Sequence, residues 1–157
     1  VRELQRRIVA LGRETGEEGE ALAIARGLAM LTYRTPAEFG QRFAGGIDTG
    51  DPLAASDPGR YLRARGDAYA AATPAGRFLS LSASIDRHRI DPAACRAPCL
   101  VIGAASDQLV LPAQLEQLAA RLPDARLHLL DSLYGHDMFL KEAAKIGVLI
   151  ADFLELP

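Results

Sequence analysis

Two strand-to-turn units in the last third of this chain constrain its fold more than any other feature. Leu100-Val101-Ile102 is an apolar run that ends in Gly103-Ala104-Ala105-Ser106-Asp107. Arg126 to Asp131 is a second run, and it leads into Ser132-Leu133-Tyr134-Gly135-His136-Asp137. Between them, Pro112 to Arg121 places Leu115, Leu118 and Ala119 at helical spacing, and Leu122-Pro123 stops the pattern. Strands that alternate with helices pair in parallel, because the crossover returns the chain to the same edge. The spacing also predicts one closing helix over Met138 to Leu154, with Leu140, Ala143, Ile146, Ile150 and Phe153 on its apolar face. Open α/β sheets collect ligands at the carboxyl ends of their strands. Asp107 and His136 both fall at such ends, 29 residues apart.

An acid after one strand and a histidine after the next is the chain order of the triad partners in an α/β-hydrolase. A carboxylate beside an imidazole holds its tautomer and stabilises the imidazolium that forms when it accepts a proton. Gly135 lets the backbone turn tightly before His136, at the place where a general base would be held. The plainer reading of Asp107 is a helix cap, but it precedes the helix at Pro112 by too many residues to cap it well. His128 lies inside a strand and His88 at a helix end, positions that suit structural or solvated rings. No Gly-x-Ser-x-Gly elbow occurs; the nearest approach, Gly103-Ala104-Ala105-Ser106, lacks the second Gly. Two strands do not make a stable sheet alone, and the chain starts at Val1 without a methionine. The expectation is an α/β protein, the C-terminal part of an α/β-hydrolase, either truncated or released by cleavage of a longer chain.

Residues 1–90 read as helical and residues 91–157 as the part of the core that carries the acid and the histidine. Val1, Leu4, Ile8 and Leu11 form a helical stripe. A second helix runs from Glu17 to about Tyr33, with Leu22, Ala25, Ala29 and Thr32 on one side and Ile24, Leu28 and Leu31 on the next. Thr35-Pro36-Ala37-Glu38 is a capping-box pattern that should start a short helix and carry Phe39 and Phe43 inward. Gly45 to Gly59 reads as a loop; its Asp48-Thr49-Gly50 has neither the hairpin nor the second copy an aspartic protease requires. Helices follow over about Asp57 to Ala72 and, capped by Thr73, from Pro74 to about His88.

The formal charge of −2 with no Lys/Arg cluster gives nucleic-acid binding no electrostatic basis. No apolar run reaches the length of a membrane span. Cys95 and Cys99 lack the further ligands a zinc site needs and read as structural thiols in a reducing, cytoplasmic compartment. No metal is expected.

Four segments carry a resemblance. Ala25-Arg26-Gly27-Leu28-Ala29-Met30-Leu31-Thr32-Tyr33-Arg34 looks like the helix ending in LTYR of the homoserine O-acyltransferases. Tyr61 to Asp67 and Arg77 to Leu81 resemble two further helical segments of that family. Tyr134-Gly135-His136-Asp137-Met138-Phe139-Leu140 resembles its YGHDAFL turn, with Met for Ala. The resemblance runs in order from about residue 20 to the end. It departs at Arg65, at Ala68-Tyr69 and over the loop from Gly45 to Pro58, all in the helical part.

The resemblance implies a homoserine O-acetyltransferase-like enzyme of methionine biosynthesis, with a helical lid inserted before the acid strand. Residues 1–90 would be most of that lid. Asp107 and His136 would be the triad acid and base, with the Ser nucleophile on sequence absent from this chain. Arg26 would bind the amino-acid carboxylate, Tyr33 would line the tunnel, and Asp137 would bind the substrate ammonium. Acetyl-CoA or succinyl-CoA would be the co-substrate, homoserine or serine the acceptor, and no cofactor would be bound. The lid helices would build a homodimer. The alternatives are an esterase-type hydrolase, which needs no amino-acid clamp, and an inactive fragment that serves as a lid or association module.

Overall fold

The computed structural model describes residues 1–45 and 56–155. These form two compact units, residues 1–31 with 39–89, and residues 32–38 with 90–157. The Asp48-Thr49-Gly50 motif and most of its loop lie outside the described residues.

The first unit is helical. It contains α1 (Arg2–Thr15), most of α2 (Glu18–Tyr33), the end of α3 (Pro36–Arg42), α4 (Asp57–Ala72) and α5 (Ala75–Arg87). Val9, Leu22, Ala25 and Ala75 form its buried centre, with Ile8, Tyr69, Phe78 and Leu79 packed around them. The buried face of α1 is Gln5, Val9 and Gly12, not the stripe of larger side chains; Val1, Leu4 and Leu11 are exposed. Gln5 can be buried because its Nε2 donates to the carbonyl of Ala25 at 2.8 Å. The same preference for small residues governs α2, where Ala21, Ala23, Ala25 and Ala29 are buried while Ile24 and Leu31 are exposed. Close approach explains it: a Cβ on Gly66 of α4 would sit 2.5 Å from the backbone oxygen of Ala23. Ser56 caps α4, as its Oγ accepts from the N–H of Gly59. α5 is capped at Pro74 and not at Thr73.

The second unit holds the sheet. β1 (Cys99–Ala104) and β2 (Ala125–Leu130) pair in parallel, from Cys99 opposite Ala125 to Ala104 opposite Leu130. α6 (Pro112–Arg121) packs across both strands, with Leu115 against the bare backbone at Gly103. The closing helix is broken. A 3-10 turn at Gly135–Asp137 leads into α7 (Met138–Lys141), and α8 (Ala143–Leu154) starts after Glu142, whose ψ of 40° leaves the helical region. Leu140 and Ile150 are consequently exposed, and Ile146, Leu149 and Phe153 are the half-buried side of α8. Cys95 and Cys99 are free, with their Sγ atoms 3.6 Å apart at the start of β1.

Candidate active site

The loops leaving β1 and β2 are tied together before either reaches its functional side chain. The N–H of Ala105 donates to the carbonyl of Leu130 at 2.9 Å, and Ser106 Oγ donates to the carbonyl of Ser132 at 2.5 Å. Ser106 is thus a strut between loops. Beyond it, the carboxylate of Asp107 is almost completely buried. Its Oδ1 accepts the N–H groups of Leu109 and Val110 at 2.8 and 3.0 Å. Its Oδ2 lies 2.8 Å from Nδ1 of His136. A buried carboxylate needs this full complement of partners, and here three groups supply it.

His136 keeps about a third of its side chain exposed. Its ring lies between two aromatic neighbours, with the Tyr33 centroid at 5.7 Å and the Phe139 ring edge-on at 6.2 Å. With Nδ1 engaged by Asp107, the proton-accepting position left to the ring is Nε2. His136, Asp107, Gly135, Met138 and Phe139 also line a cavity of about 300 Å³ that reaches to Ile102, Leu115 and Ile146. That volume suits a small, largely apolar group.

The turn that presents His136 is held by three consecutive residues, Tyr33, Arg34 and Thr35. Gly135 adopts a φ of +57°, which L side chains rarely take, and a Cβ there would lie 3.2 Å from Cγ2 of Thr35. Thr35 Oγ1 donates to the carbonyl of Leu133 at 2.6 Å and accepts the N–H of Glu38 at 3.1 Å. Only half of the expected capping box forms, since the Glu38 carboxylate turns to Arg34. Arg34 is buried and bridges two buried carboxylates: Nη1 meets Glu38 at 3.0 Å and Nε meets Oδ2 of Asp137 at 2.6 Å.

Of the five residues singled out from the sequence, Asp107, His136, Tyr33 and Asp137 therefore gather in the second unit. Arg26 lies on α2 in the helical unit, its guanidinium 4.9 Å above the Tyr69 ring. The residues missed were Arg34 and Glu38. Arg34 closes the LTYR segment and stands in the bend between α2 and α3, four residues before Glu38; that Asp137 would join them was not legible. Among the described residues, no three His, Cys, Asp or Glu side chains gather as metal ligands.

The chain is 46% identical over 157 residues to the homoserine O-succinyltransferase of Xanthomonas campestris pv. campestris, a match that covers 98% of this chain and 42% of that protein. It is 35% identical to the homoserine O-acetyltransferase of Deinococcus radiodurans, over 87% of this chain and 40% of the relative. For the homoserine O-acetyltransferase of Mycobacterium marinum the figures are 38%, 91% and 41%. The chain is similar to homoserine O-acyltransferases over nearly its whole length. It spans about two-fifths of the length of these relatives. No family model matches it. Among solved structures, it superposes on the crystal structure of esterase E22 with a TM-score of 0.83 at 19% identity, over 98% of this chain and 49% of the esterase. That likeness identifies the fold as part of an α/β-hydrolase.

Proposed function

We propose that this chain carries the acid and the base of a CoA-dependent O-acyltransferase that acylates the side-chain hydroxyl of L-homoserine or L-serine. The observation that carries the reading is the 2.8 Å contact between Asp107 and His136, in a relative of homoserine O-succinyl- and O-acetyltransferases. The nucleophilic Ser belongs to sequence outside this chain, which spans under half of those relatives.

The reaction proceeds in two half-reactions. His136 Nε2 takes the proton of the Ser hydroxyl as its oxygen attacks the thioester carbonyl, and returns it to the departing CoA sulfur. The acyl group is now an ester on Ser. His136 next takes the proton of the acceptor hydroxyl, whose oxygen attacks that ester, and gives it back to the Ser oxygen. Asp107 stabilises the imidazolium in each half. Arg26 holds the acceptor carboxylate, since a guanidinium fork matches it. Asp137 meets the acceptor ammonium, and Tyr33 lines the path. Residues 1–90 act as the lid, and the 91–157 segment completes the core. A homodimer through residues 1–45 is part of the same reading, and the exposed Val1 and the exposed Leu4 and Leu11 of α1 support it. So is a cytoplasmic role in methionine biosynthesis. Among the described residues, no helix is long and apolar enough to cross a membrane.

The test is a kinetic comparison of homoserine, serine and water as acceptors on the full-length enzyme, with Arg26→Ala beside the wild type. Arg26→Ala should raise the KM for the amino acid and leave acyl-enzyme formation almost unchanged. Equal turnover of simple esters, with water as acceptor and no effect of Arg26→Ala, would transfer the case to an esterase.

A further inference from the structure

Asp137 is the residue read above as the partner of the substrate ammonium, yet its Oδ2 already receives the Nε–H of Arg34 at 2.6 Å. A carboxylate paired to a buried guanidinium is neutralised, and a neutral pair has little attraction left for a cation. Glu38 changes this. It accepts from Nη1, at another edge of the same guanidinium, and its side chain, like that of Arg34, is less than one-tenth exposed. One guanidinium between two carboxylates leaves one net negative charge in a buried cluster, and an incoming ammonium brings that cluster to neutrality.

We propose that Glu38 is a specificity-determining residue that never touches the acceptor. By sharing Arg34 with Asp137 it leaves the three-residue cluster with one net negative charge, and so selects acceptors that carry an ammonium group. The inference rests on the reading of Asp137 given under the proposed function. Arg34 has the complementary task, since two buried carboxylates without a cation between them would repel each other and be costly to desolvate. The three side chains are brought together by the bend between α2 and α3, where Arg34 precedes the first turn of α3 that carries Glu38, and by the turn that Thr35 ties to Leu133. The interaction is electrostatic and works through low-dielectric surroundings, so it needs no contact between Glu38 and substrate.

The test compares two acceptors on the full-length enzyme: homoserine, and 4-hydroxybutyrate, which is the same molecule without its ammonium. The quantity read is the ratio of their kcat/KM values. A defect in folding or in His136 slows both acceptors alike and cancels from this ratio. Glu38→Gln, nearly isosteric, should lower the preference for homoserine about tenfold or more. Glu38→Asp, which keeps the charge, should largely retain it. The double variant Arg34→Gln with Glu38→Gln restores one net negative charge and should recover part of the preference lost in Glu38→Gln. An unchanged ratio in Glu38→Gln would overturn the proposal, as would an equal fall in Glu38→Asp and Glu38→Gln, which would mark shape and not charge as the cause. A wild-type enzyme with no preference between the two acceptors would instead remove the ammonium role of Asp137, and this inference with it.

Discussion

The carboxylate of Asp107 divides its oxygens between two tasks: Oδ2 meets Nδ1 of His136 at 2.8 Å, while Oδ1 receives the backbone N–H groups of Leu109 and Val110. The backbone contacts fix the carboxylate plane, so the imidazole is oriented by a group that cannot itself rotate away. In the full-length enzyme, His136→Ala should lower kcat by several orders of magnitude. Asp107→Asn should cost about 10⁴, because the amide presents a donor where Nδ1–H needs an acceptor. Single-turnover release of CoA thiol measures both, and near wild-type rates in either variant would remove that residue from the catalytic pair.

Gly135 is expected to be intolerant of any side chain. Its φ of +57° costs an L residue about 1–2 kcal/mol, and the Tyr33 carbonyl and Thr35 methyl close the space a Cβ would need. Gly135→Ala should therefore both lower the unfolding free energy and displace His136 from Asp107. Denaturant titration and the His136 imidazole proton resonances report the two effects. A variant with unchanged stability and an unchanged resonance would contradict this account of the turn.

Acid should loosen the helical unit through Asp86. Hydrogen bonds from Arg2 and then from Arg6, each at 2.5 Å, hold its carboxyl below the ordinary value of 3.8. The folded form thus binds this proton less readily than the unfolded chain. The stabilisation is complete above the ordinary value and is lost as the pH falls through the lower folded one. Urea titrations between about pH 2 and 6 should show a steeper loss on acidification for the wild type than for Asp86→Asn. Parallel curves would mean that the two arginines do not hold Asp86 in solution.

The thiol of Cys99 should be a slow nucleophile near neutrality. Its hydrogen bond with Cys95 and its partial burial raise it above its ordinary value, so less of it is thiolate. Cys95→Ala removes the first cause, and iodoacetamide should then label Cys99 faster than in the wild type. Mass-spectrometric labelling rates decide it; an equal or slower rate in the variant would refute the assignment.

Much of this molecule is legible in its residue pattern because the information is local. The ends of α6 follow from the Pro112 and Leu122-Pro123 punctuation. The strands follow from short apolar runs, and the acid and histidine from the turns that end them. Patterns of this kind record what a segment does with its own neighbours, and helices and strands obey that. What the pattern misjudged was which face of a helix is buried. In α1, Leu4 and Leu11 of the large apolar stripe are exposed, and Gln5, Val9 and Gly12 face inward. The choice was made by how closely another helix approaches, and small residues permit the closer packing. The break at Glu142 and the bridge of Arg34 between Glu38 and Asp137 were likewise tertiary decisions. Arg34 and Asp137 stand 103 positions apart, and no periodicity couples residues at that range. The sequence by itself determined the candidate acid and base, the alternation of strand and helix, and the turn that presents His136. Only the folded chain decided which charges share a buried cluster, because that depends on which segments meet once water has been excluded.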